Sequence, residues 1–249
     1  MKKLLSVQGI HTYYGTSHIL FGVSIDIKEG EAVALLGRNG AGKSTTLRSI
    51  IGLTRPEEGK VVFDNKDITG WDTHRIARAG IAYVPEDRQI FSALTVYENL
   101  DLGINRKHQG RFDIRTASEI FPVLGTMLDR PATMISGGEQ QMLSIARSLM
   151  MDPKLLLLDE PLEGLSPIVV NELGNKIKEL KKQGITILLT EQNIRFAIDL
   201  CDKVYVIDKG TLKYEGSIKE FEQNKDVQER YLHVSGSSVR GRHAGKKHA

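Results

Sequence analysis

Cysteine and long apolar runs are scarce in this chain, and each scarcity excludes a class of protein. The single cysteine, Cys201, excludes an internal disulfide framework and is typical of a reducing cytosol. Apolar runs such as LLLLD (155–159) have the length of a strand, below the roughly 18 residues that a membrane-spanning helix needs. The opening MKKLLSVQGI is basic at its start, but its apolar stretch is too short for a secretory signal. We therefore expect a protein that lies against a membrane, if it serves one, and does not cross it.

Net charge is also small once the C-terminal end is set apart. The chain has a formal charge of +3, and residues 235–249 supply four basic side chains and no acidic one: Arg240, Arg242, Lys246 and Lys247. Without that end, residues 1–234 have a net charge close to −1, which gives no indication of nucleic-acid binding. We predict one folded domain over 1–234 and a disordered basic tail over 235–249. Contact of the tail with anionic lipid or RNA is the alternative.

Apolar strands alternate with helical segments along most of the chain. The strand patterns include AVALLG (32–37), LLLLD (155–159) and KVYVID (203–208), and VVNELGNKIKELKKQ (169–183) is one of the helical segments between them. This alternation predicts a parallel α/β core. The first thirty residues and VVFDNKDIT (61–69) predict short strands and a hairpin, and residues 96–130 predict a helical insert.

A glycine-rich loop after the first core strand is the strongest motif. It is GRNGAGKST, comprising Gly37, Arg38, Asn39, Gly40, Ala41, Gly42, Lys43, Ser44 and Thr45. Its glycines let successive N–H groups point at phosphate oxygens, and the helix that follows adds the positive end of its dipole. Lys43 is expected to reach the β- and γ-phosphates, and the Ser44 hydroxyl to ligate Mg²⁺. We therefore predict that the chain binds ATP.

A second motif, LLLLDEP (155–161), supplies acidic groups at the end of a buried strand. Asp159 emerges at the carboxyl end, where ligands bind in open α/β sheets, and is placed to hold Mg²⁺. Glu160 is placed to polarise the attacking water as a general base. These two motifs alone are equally typical of a kinase, a GTPase or a helicase.

The segment MISGGEQQMLSIARSLMMDPKLLLLDEP (134–161) separates these classes. It resembles the signature of ATP-binding-cassette (ABC) ATPases, usually LSGGQ, with its helix and acidic strand at the usual separation. Ser136 and Glu139 also form a capping-box pattern, and Gly137 and Gly138 leave the start of the helix bare. The resemblance implies that these four residues close over the γ-phosphate of ATP bound to a second subunit.

Further segments resemble the same family over residues 4 to about 233. Tyr14 matches the aromatic residue that stacks on adenine, although the adjacent Tyr13 is an alternative. VPEDRQIFSALTVYENL (84–100) matches the loop that senses the γ-phosphate and Mg²⁺ and contacts the membrane partner. EGLSP (163–167) and LLLTEQN (188–194) match the loop that reaches across the dimer and the switch segment.

The fold that this resemblance implies is a P-loop NTPase core of the α/β class. Its sheet is mostly parallel, an antiparallel β subdomain lies at the N-terminus, and an all-helical insert at about 88–150 carries the signature.

Two residues depart from the family pattern. Glu86 stands where the linking loop normally has glutamine, and Gln192 stands where the switch normally has histidine. A carboxylate can ligate Mg²⁺ directly, and an amide can donate a hydrogen bond to the γ-phosphate without a titratable charge. The departures indicate either a weakened site or the style of a subfamily. The second interpretation is favoured, because VPE-x-R, SGGEQQ, GL-x-P and EQN resemble the smaller ATPase of branched-chain amino acid importers.

The resemblance implies an ATP-hydrolysing import motor with Glu160, Gln192 and Lys43 as its catalytic residues. The implied substrates are branched-chain or other hydrophobic amino acids, with urea or short amides served by related importers. The implied partners are a second ABC ATPase subunit, identical or different, two transmembrane permeases and, indirectly, a periplasmic or extracellular binding protein. We expect a peripheral position on the cytoplasmic face of the membrane and no nucleic-acid partner.

Three other functions use the same motifs. An exporter of lipid or drug has the same chemistry, and the linking segment 84–100 argues for an importer instead. A soluble ABC ATPase acting on DNA or the ribosome carries coiled coils or tandem cassettes, which this chain lacks. A nucleotide-sensing regulator without hydrolysis is supported only by Glu86 and Gln192.

Overall fold

The computed structural model describes residues 2–104 and 110–232, and the predicted tail at 235–249 lies outside the described residues. Within the described part, the chain forms two β-sheets and a set of helices. The strands are β1 (Lys3–Tyr14), β2 (Ser17–Lys28), β3 (Ala32–Leu36), β4 (Glu58–Phe63), β5 (Lys66–Asp67), β6 (Ile81–Val84), β7 (Leu155–Asp159), β8 (Thr186–Glu191), β9 (Lys203–Asp208) and β10 (Thr211–Ser217). The helices are α1 (Lys43–Ile50), α2 (Thr73–Ala79), α3 (Val96–Gly103), α4 (Ile114–Ile120), α5 (Pro122–Gly125), α6 (Gly137–Leu149), α7 (Pro167–Lys182), α8 (Ile194–Leu200), α9 (Ile218–Gln223) and α10 (Lys225–Tyr231), with a 3₁₀ helix at Ala132–Met134.

The central sheet has the strand order β10-β9-β3-β8-β7-β6. Strands β3 and β6 to β9 are parallel, and β10 adds an antiparallel edge. Every residue of β7 and β8 is buried, as expected for parallel strands covered on both faces. The predicted α/β fold class is therefore confirmed, and the sheet aligns the carboxyl ends of β3, β8 and β7 side by side.

The alternation of side chains along the central strands divides the apolar interior into two cores. In β3, Ala32, Ala34 and Leu36 face one core, and Val33 and Leu35 face the other. The first core lies between the central sheet and helices α3 to α9, and the second lies between the central sheet, α1 and the antiparallel sheet. Since both faces of the central sheet are covered, polar side chains of its buried strands reach solvent only where the strands end.

The second sheet is antiparallel, with the order β2-β1-β4-β5, as predicted for the N-terminal part. Its hairpin turns at Asp64 and Asn65, both with positive φ, as expected for the tightest hairpins. Strands β1 and β2 lie where LLSVQGIHTYYG and ILFGVSIDIKEGE predict two strands joined by a turn, but each is 12 residues long, longer than the short strands expected before residue 30. A shift of register between Val7 and Ile10, around Gly9 with φ 56°, interrupts the alternation of side chains along β1.

All regular elements described between β6 and β7 are helical, and three of them begin at capping boxes. Thr95 and Glu98 cap α3, and Ser136 and Glu139 cap α6 as predicted. The boxes fix where these helices start and therefore how the linking segment and the signature segment approach them. In the described part of the chain, no helix combines the length and the apolar character that crossing a membrane requires.

Candidate active site

The glycine-rich loop connects the carboxyl end of β3 to the start of α1. Gly42 has φ 110°, and a Cβ atom there would lie 2.8 Å from Leu20 Cδ2. A Cβ atom on Gly37 would lie 2.5 Å from the main-chain oxygen of Ile207. Only glycine fits both positions, which explains why the loop can fold back tightly above the sheet.

Lys43 lies at the floor of this loop with 3% of its surface exposed. Its Nζ donates hydrogen bonds to the main-chain oxygens of Gly37 at 2.8 Å and Arg38 at 3.0 Å. The same atom is 3.0 Å from Glu160 Oε1. The ammonium group is thus held by the loop and faces the predicted general base.

Asp159 is 1% exposed and receives hydrogen bonds on both carboxylate oxygens. Ser44 Oγ donates to Oδ1 at 2.9 Å, and Thr190 Oγ1 donates to the same atom at 2.7 Å. The Tyr83 hydroxyl donates to Oδ2 at 3.0 Å, and burial together with the Asp159 charge raises the pKa of Tyr83. These contacts fix the Asp159 carboxylate beside the Ser44 hydroxyl. Two oxygen atoms that can act as metal ligands, Ser44 Oγ and Asp159 Oδ1, therefore lie side by side.

Glu160 has a left-handed backbone, with φ 43°, and is 7% exposed. Its Oε2 accepts a hydrogen bond from Gln192 Nε2 at 2.8 Å, and the same Nε2 atom donates to Asn39 Oδ1 at 2.7 Å. Burial opposes ionisation, but the hydrogen bonds from Gln192 and Lys43 outweigh it and hold the pKa of Glu160 below its usual value. The carboxylate is therefore ionised at neutral pH and able to accept a proton.

A pocket of about 440 Å³ opens beside these groups. Tyr14 lies at its edge with 43% of its surface exposed, and its hydroxyl accepts a hydrogen bond from Thr54. Glu86 lies exposed at the rim, so both residues remain accessible to a ligand in the pocket. The lining consists of Tyr14, Ile19, Asn39, Gly40, Gly42, Lys43, Ser44, Thr45, Glu86 and Glu160.

The signature residues do not line this pocket. Ser136 precedes α6 and accepts a 3.3 Å hydrogen bond from the Glu139 N–H, and Glu139 Oε2 accepts one of 2.6 Å from the Ser136 N–H. Gly137 and Gly138 form the first turn of α6, and the Arg88 guanidinium packs against Gly137. Within one chain, the predicted site is therefore divided between two separate surfaces.

Sequence reasoning missed Tyr83 and Thr190, although both contact Asp159. Tyr83 belongs to the strand pattern IAYVP, and Thr190 closes the pattern ITILLT. Both are polar residues close to the carboxyl end of a buried parallel strand. That position is itself the signal, because these strand ends meet at the edge where ligands bind.

Comparison with known proteins agrees with this geometry. The ABC transporter family profile matches residues 20–163. The chain is 40% identical over 231 residues to the high-affinity branched-chain amino acid transport ATP-binding protein BraG of Pseudomonas aeruginosa, covering 92% of this chain and 99% of BraG. It is 34% identical to the lipopolysaccharide export system ATP-binding protein LptB of Haemophilus influenzae, covering 92% of this chain and 97% of LptB.

A solved structure gives the same result for the fold. The ADP conformation of MJ1267, an ATP-binding cassette of an ABC transporter, matches with a TM-score of 0.80 at 31% identity. The match covers 92% of this chain and 98% of that one. The chain therefore belongs to the ABC transporter family, as the ATP-binding domain that binds and hydrolyses nucleotide.

Proposed function

We propose that this chain is the ATP-hydrolysing motor subunit of an importer for branched-chain or other hydrophobic amino acids. The ATPase part is carried by one observation: Lys43, Ser44, Asp159, Glu160 and Gln192 meet at the carboxyl edge of the central sheet. The Lys43 ammonium can bind phosphate, and the Ser44 and Asp159 oxygens can ligate a metal ion. The Glu160 carboxylate can accept a proton, and the Gln192 amide positions that carboxylate.

Hydrolysis would use these groups in sequence. When ATP binds, the Lys43 ammonium leaves its ion pair with the Glu160 carboxylate and pairs with β- and γ-phosphate oxygens instead. Tyr14 stacks on the adenine ring. Glu160, once released, accepts a proton from the water that attacks the γ-phosphorus. Gln192 keeps that carboxylate oriented through its 2.8 Å hydrogen bond, and Lys43 stabilises the charge that develops on the phosphate oxygens.

The chemistry of the donors beside the loop suits Mg²⁺. Ser44 Oγ and Asp159 Oδ1 are 2.9 Å apart, and both are the hard oxygen donors that this ion prefers. Among the described residues, no cluster of three or more His, Cys, Asp or Glu side chains could hold a metal ion by itself. We infer that Ser44 and Asp159 hold the ion jointly with the nucleotide, with Glu86 as a further candidate ligand. When bound, the ion would neutralise charge on the phosphates.

A second ATPase subunit would complete the site. ABC ATPases work as dimers with membrane permease subunits, and here Ser136, Gly137, Gly138 and Glu139 lie outside the nucleotide pocket of their own chain. We infer that they contact the nucleotide of the partner. The helical insert, at about 88–150, would then transmit closure to the permeases on the cytoplasmic face of the membrane.

The proposed substrate class is based on sequence similarity to other transport ATPases. BraG, at 40% identity, is a branched-chain amino acid transport protein, and this supports amino acid import. LptB, at 34% identity, belongs to lipopolysaccharide export and supports export of a lipid as the second candidate. A binding protein outside the membrane is expected only for the importer.

Purification of the tagged chain from detergent-solubilised membranes of its own host tests the assignment. Co-purification of two multi-span permeases and a second cassette, with ATP-dependent leucine uptake that is lost when Glu160 is replaced by Gln, would support the importer. Permeases of a lipid export system, with unchanged leucine uptake, would support the second candidate. Recovery of ribosomes or nucleic acid without permeases would contradict a transport function.

A further inference from the structure

Glu191, the last residue of β8, connects three segments of the candidate site. Its main-chain oxygen accepts a 3.4 Å hydrogen bond from the N–H of Gly37, the first residue of the glycine-rich loop. Its side-chain Oε2 accepts the main-chain N–H groups of Gln192 at 3.2 Å and Asn193 at 3.3 Å. The N–H of Leu162, two residues after Glu160, faces the same carboxyl group.

Holding the Glu191 carboxyl group at this position lowers the stability of the folded protein. Glu191 is 4% exposed, and its Oε1 has no hydrogen-bond partner among the residues that the structure describes. Burial raises the pKa of Glu191 to about 7, and the charge of Glu160 adds to that rise. The buried thiol of Cys201 is also within electrostatic reach of this carboxyl group. A buried carboxyl with an unused oxygen destabilises a fold, so a packing role does not account for it.

The connection between β8 and α8 shows what the carboxyl group does. Only Gln192 and Asn193 lie between the strand and the helix, and Asn193 Oδ1 accepts the Phe196 N–H at 3.1 Å to cap α8. The Gln192 side chain is exposed, so neighbouring atoms do not pack it into place. Its direction depends on the backbone of this two-residue connection, which the Glu191 carboxyl group holds from the strand side.

We propose that Glu191 is a positioning residue for ATP hydrolysis, which fixes the backbone of 192–193 so that the Gln192 amide reaches Glu160 and Asn39. This inference rests on the proposed ATPase function and deepens it. Glu191 does not line the nucleotide pocket and acts through Gln192. Its loss therefore lowers kcat and leaves the affinity for ATP, which depends on the loop at 37–45, unchanged.

Steady-state ATPase kinetics on the full chain test the proposal with five variants. E191A removes the acceptor and is expected to lower kcat at least tenfold, with ATP affinity within twofold of wild type. E191Q retains an acceptor oxygen at the same reach and is expected to recover part of kcat. Glu31→Gln is the matched control, because Glu31 also accepts a main-chain N–H, that of Lys28, but at the opposite end of the same sheet.

The double variant E191A/Q192A decides whether Glu191 acts through Gln192. If it does, the double variant turns over no more slowly than Q192A alone, because the positioned group is already gone. The positioning role would be overturned if the losses of kcat in E191A and Q192A multiply in the double variant, or if E191A turns over within twofold of wild type. The ATPase function would stand in either case. A wild-type protein that binds ATP and releases no phosphate would overturn both.

A measurement on the wild-type chain covers the case in which E191A does not fold. Hydrogen exchange of the Gln192 and Asn193 amides at pH 7 is expected to be at least tenfold slower than their intrinsic rates, because the Glu191 carboxyl group accepts both N–H groups. Exchange of both amides at their intrinsic rates would overturn the inference.

Discussion

At the floor of the pocket, the Lys43 ammonium and the Glu160 carboxylate lie 3.0 Å apart, both almost fully buried. Replacing Glu160 by Gln removes the proton acceptor but keeps the size of the side chain. We expect kcat to fall by about 10²–10⁴-fold, the usual contribution of a general base. ATP affinity should be kept, because the loop and Lys43 are intact. Phosphate release and nucleotide titration measure the two effects.

The matched control for this variant is Glu215→Gln. Glu215 also pairs with a lysine, Lys203 at 2.7 Å, but lies on β10 at the far edge of the sheet. Its turnover should equal that of wild type. A Glu160→Gln protein with turnover within threefold of wild type would remove Glu160 from the role of base.

The raised pKa of Glu191 predicts how stability depends on pH. In the folded protein this pKa is about 7, against 4.5 for an unperturbed glutamate. The associated stability is fully present below pH 4.5 and is lost as the pH rises through 7, about 3 kcal/mol in all. Urea unfolding of wild type and E191Q between pH 5 and 8 measures it. Relative to E191Q, the free energy of unfolding of wild type should be lower at pH 8 than at pH 5. A difference between the two proteins that does not change with pH would contradict the prediction.

The sequence allowed some of these residues to be predicted and not others, for a physical reason. Lys43, Ser44, Asp159 and Glu160 occur at fixed spacings in short motifs, because one turn or one strand end positions each group. Glu191 is recognised only in three dimensions, because its importance comes from burial between segments that are distant in sequence.

At the scale of elements, α3 and α6 start with the same capping box but differ in predicted function. Thr95→Ala and Ser136→Ala each remove one cap and should each cost about 1 kcal/mol of stability, measured by urea unfolding. Only Ser136→Ala should also lower the ATPase rate beyond the loss of folded protein, because Ser136 is proposed to contact nucleotide. Equal ATPase rates in the two variants would restrict Ser136 to a capping role.

The core strands were predictable as elements, and the N-terminal strands were not predictable in length. Strands β7 and β8 are buried on both faces and therefore appear in the sequence as continuous apolar runs. Strand β1 has four consecutive buried residues, Leu4 to Val7, and a register shift after Val7, so its alternation is interrupted. The position of α6 relative to the pocket was predicted from the family resemblance, since no local pattern encodes it.

At the scale of the whole molecule, the nucleotide pocket and the bare start of α6 lie on separate surfaces of one chain. In the proposed dimer of two copies, each α6 start meets the pocket of the other copy, with ATP between them. We predict that the Glu160→Gln protein, which hydrolyses the nucleotide only slowly, forms a stable dimer with ATP and Mg²⁺ and remains a monomer with ADP. Sedimentation velocity at several protein concentrations measures the two states.

The matched variant adds a methyl group at the bare start of α6. In Glu160→Gln/Gly137→Ala, the new Cβ atom would meet the Arg88 guanidinium at 2.8 Å, the flexible end of a side chain that can move aside, so the fold should be kept. The methyl group would still cover the surface proposed to meet the partner's phosphate. This protein should bind ATP with unchanged affinity and stay monomeric, since the P-loop is untouched. An ATP-dependent dimer as stable as that of Glu160→Gln alone would show that α6 does not contact the partner's nucleotide. A monomer in both proteins would exclude a partner identical to this chain and leave a second, different cassette.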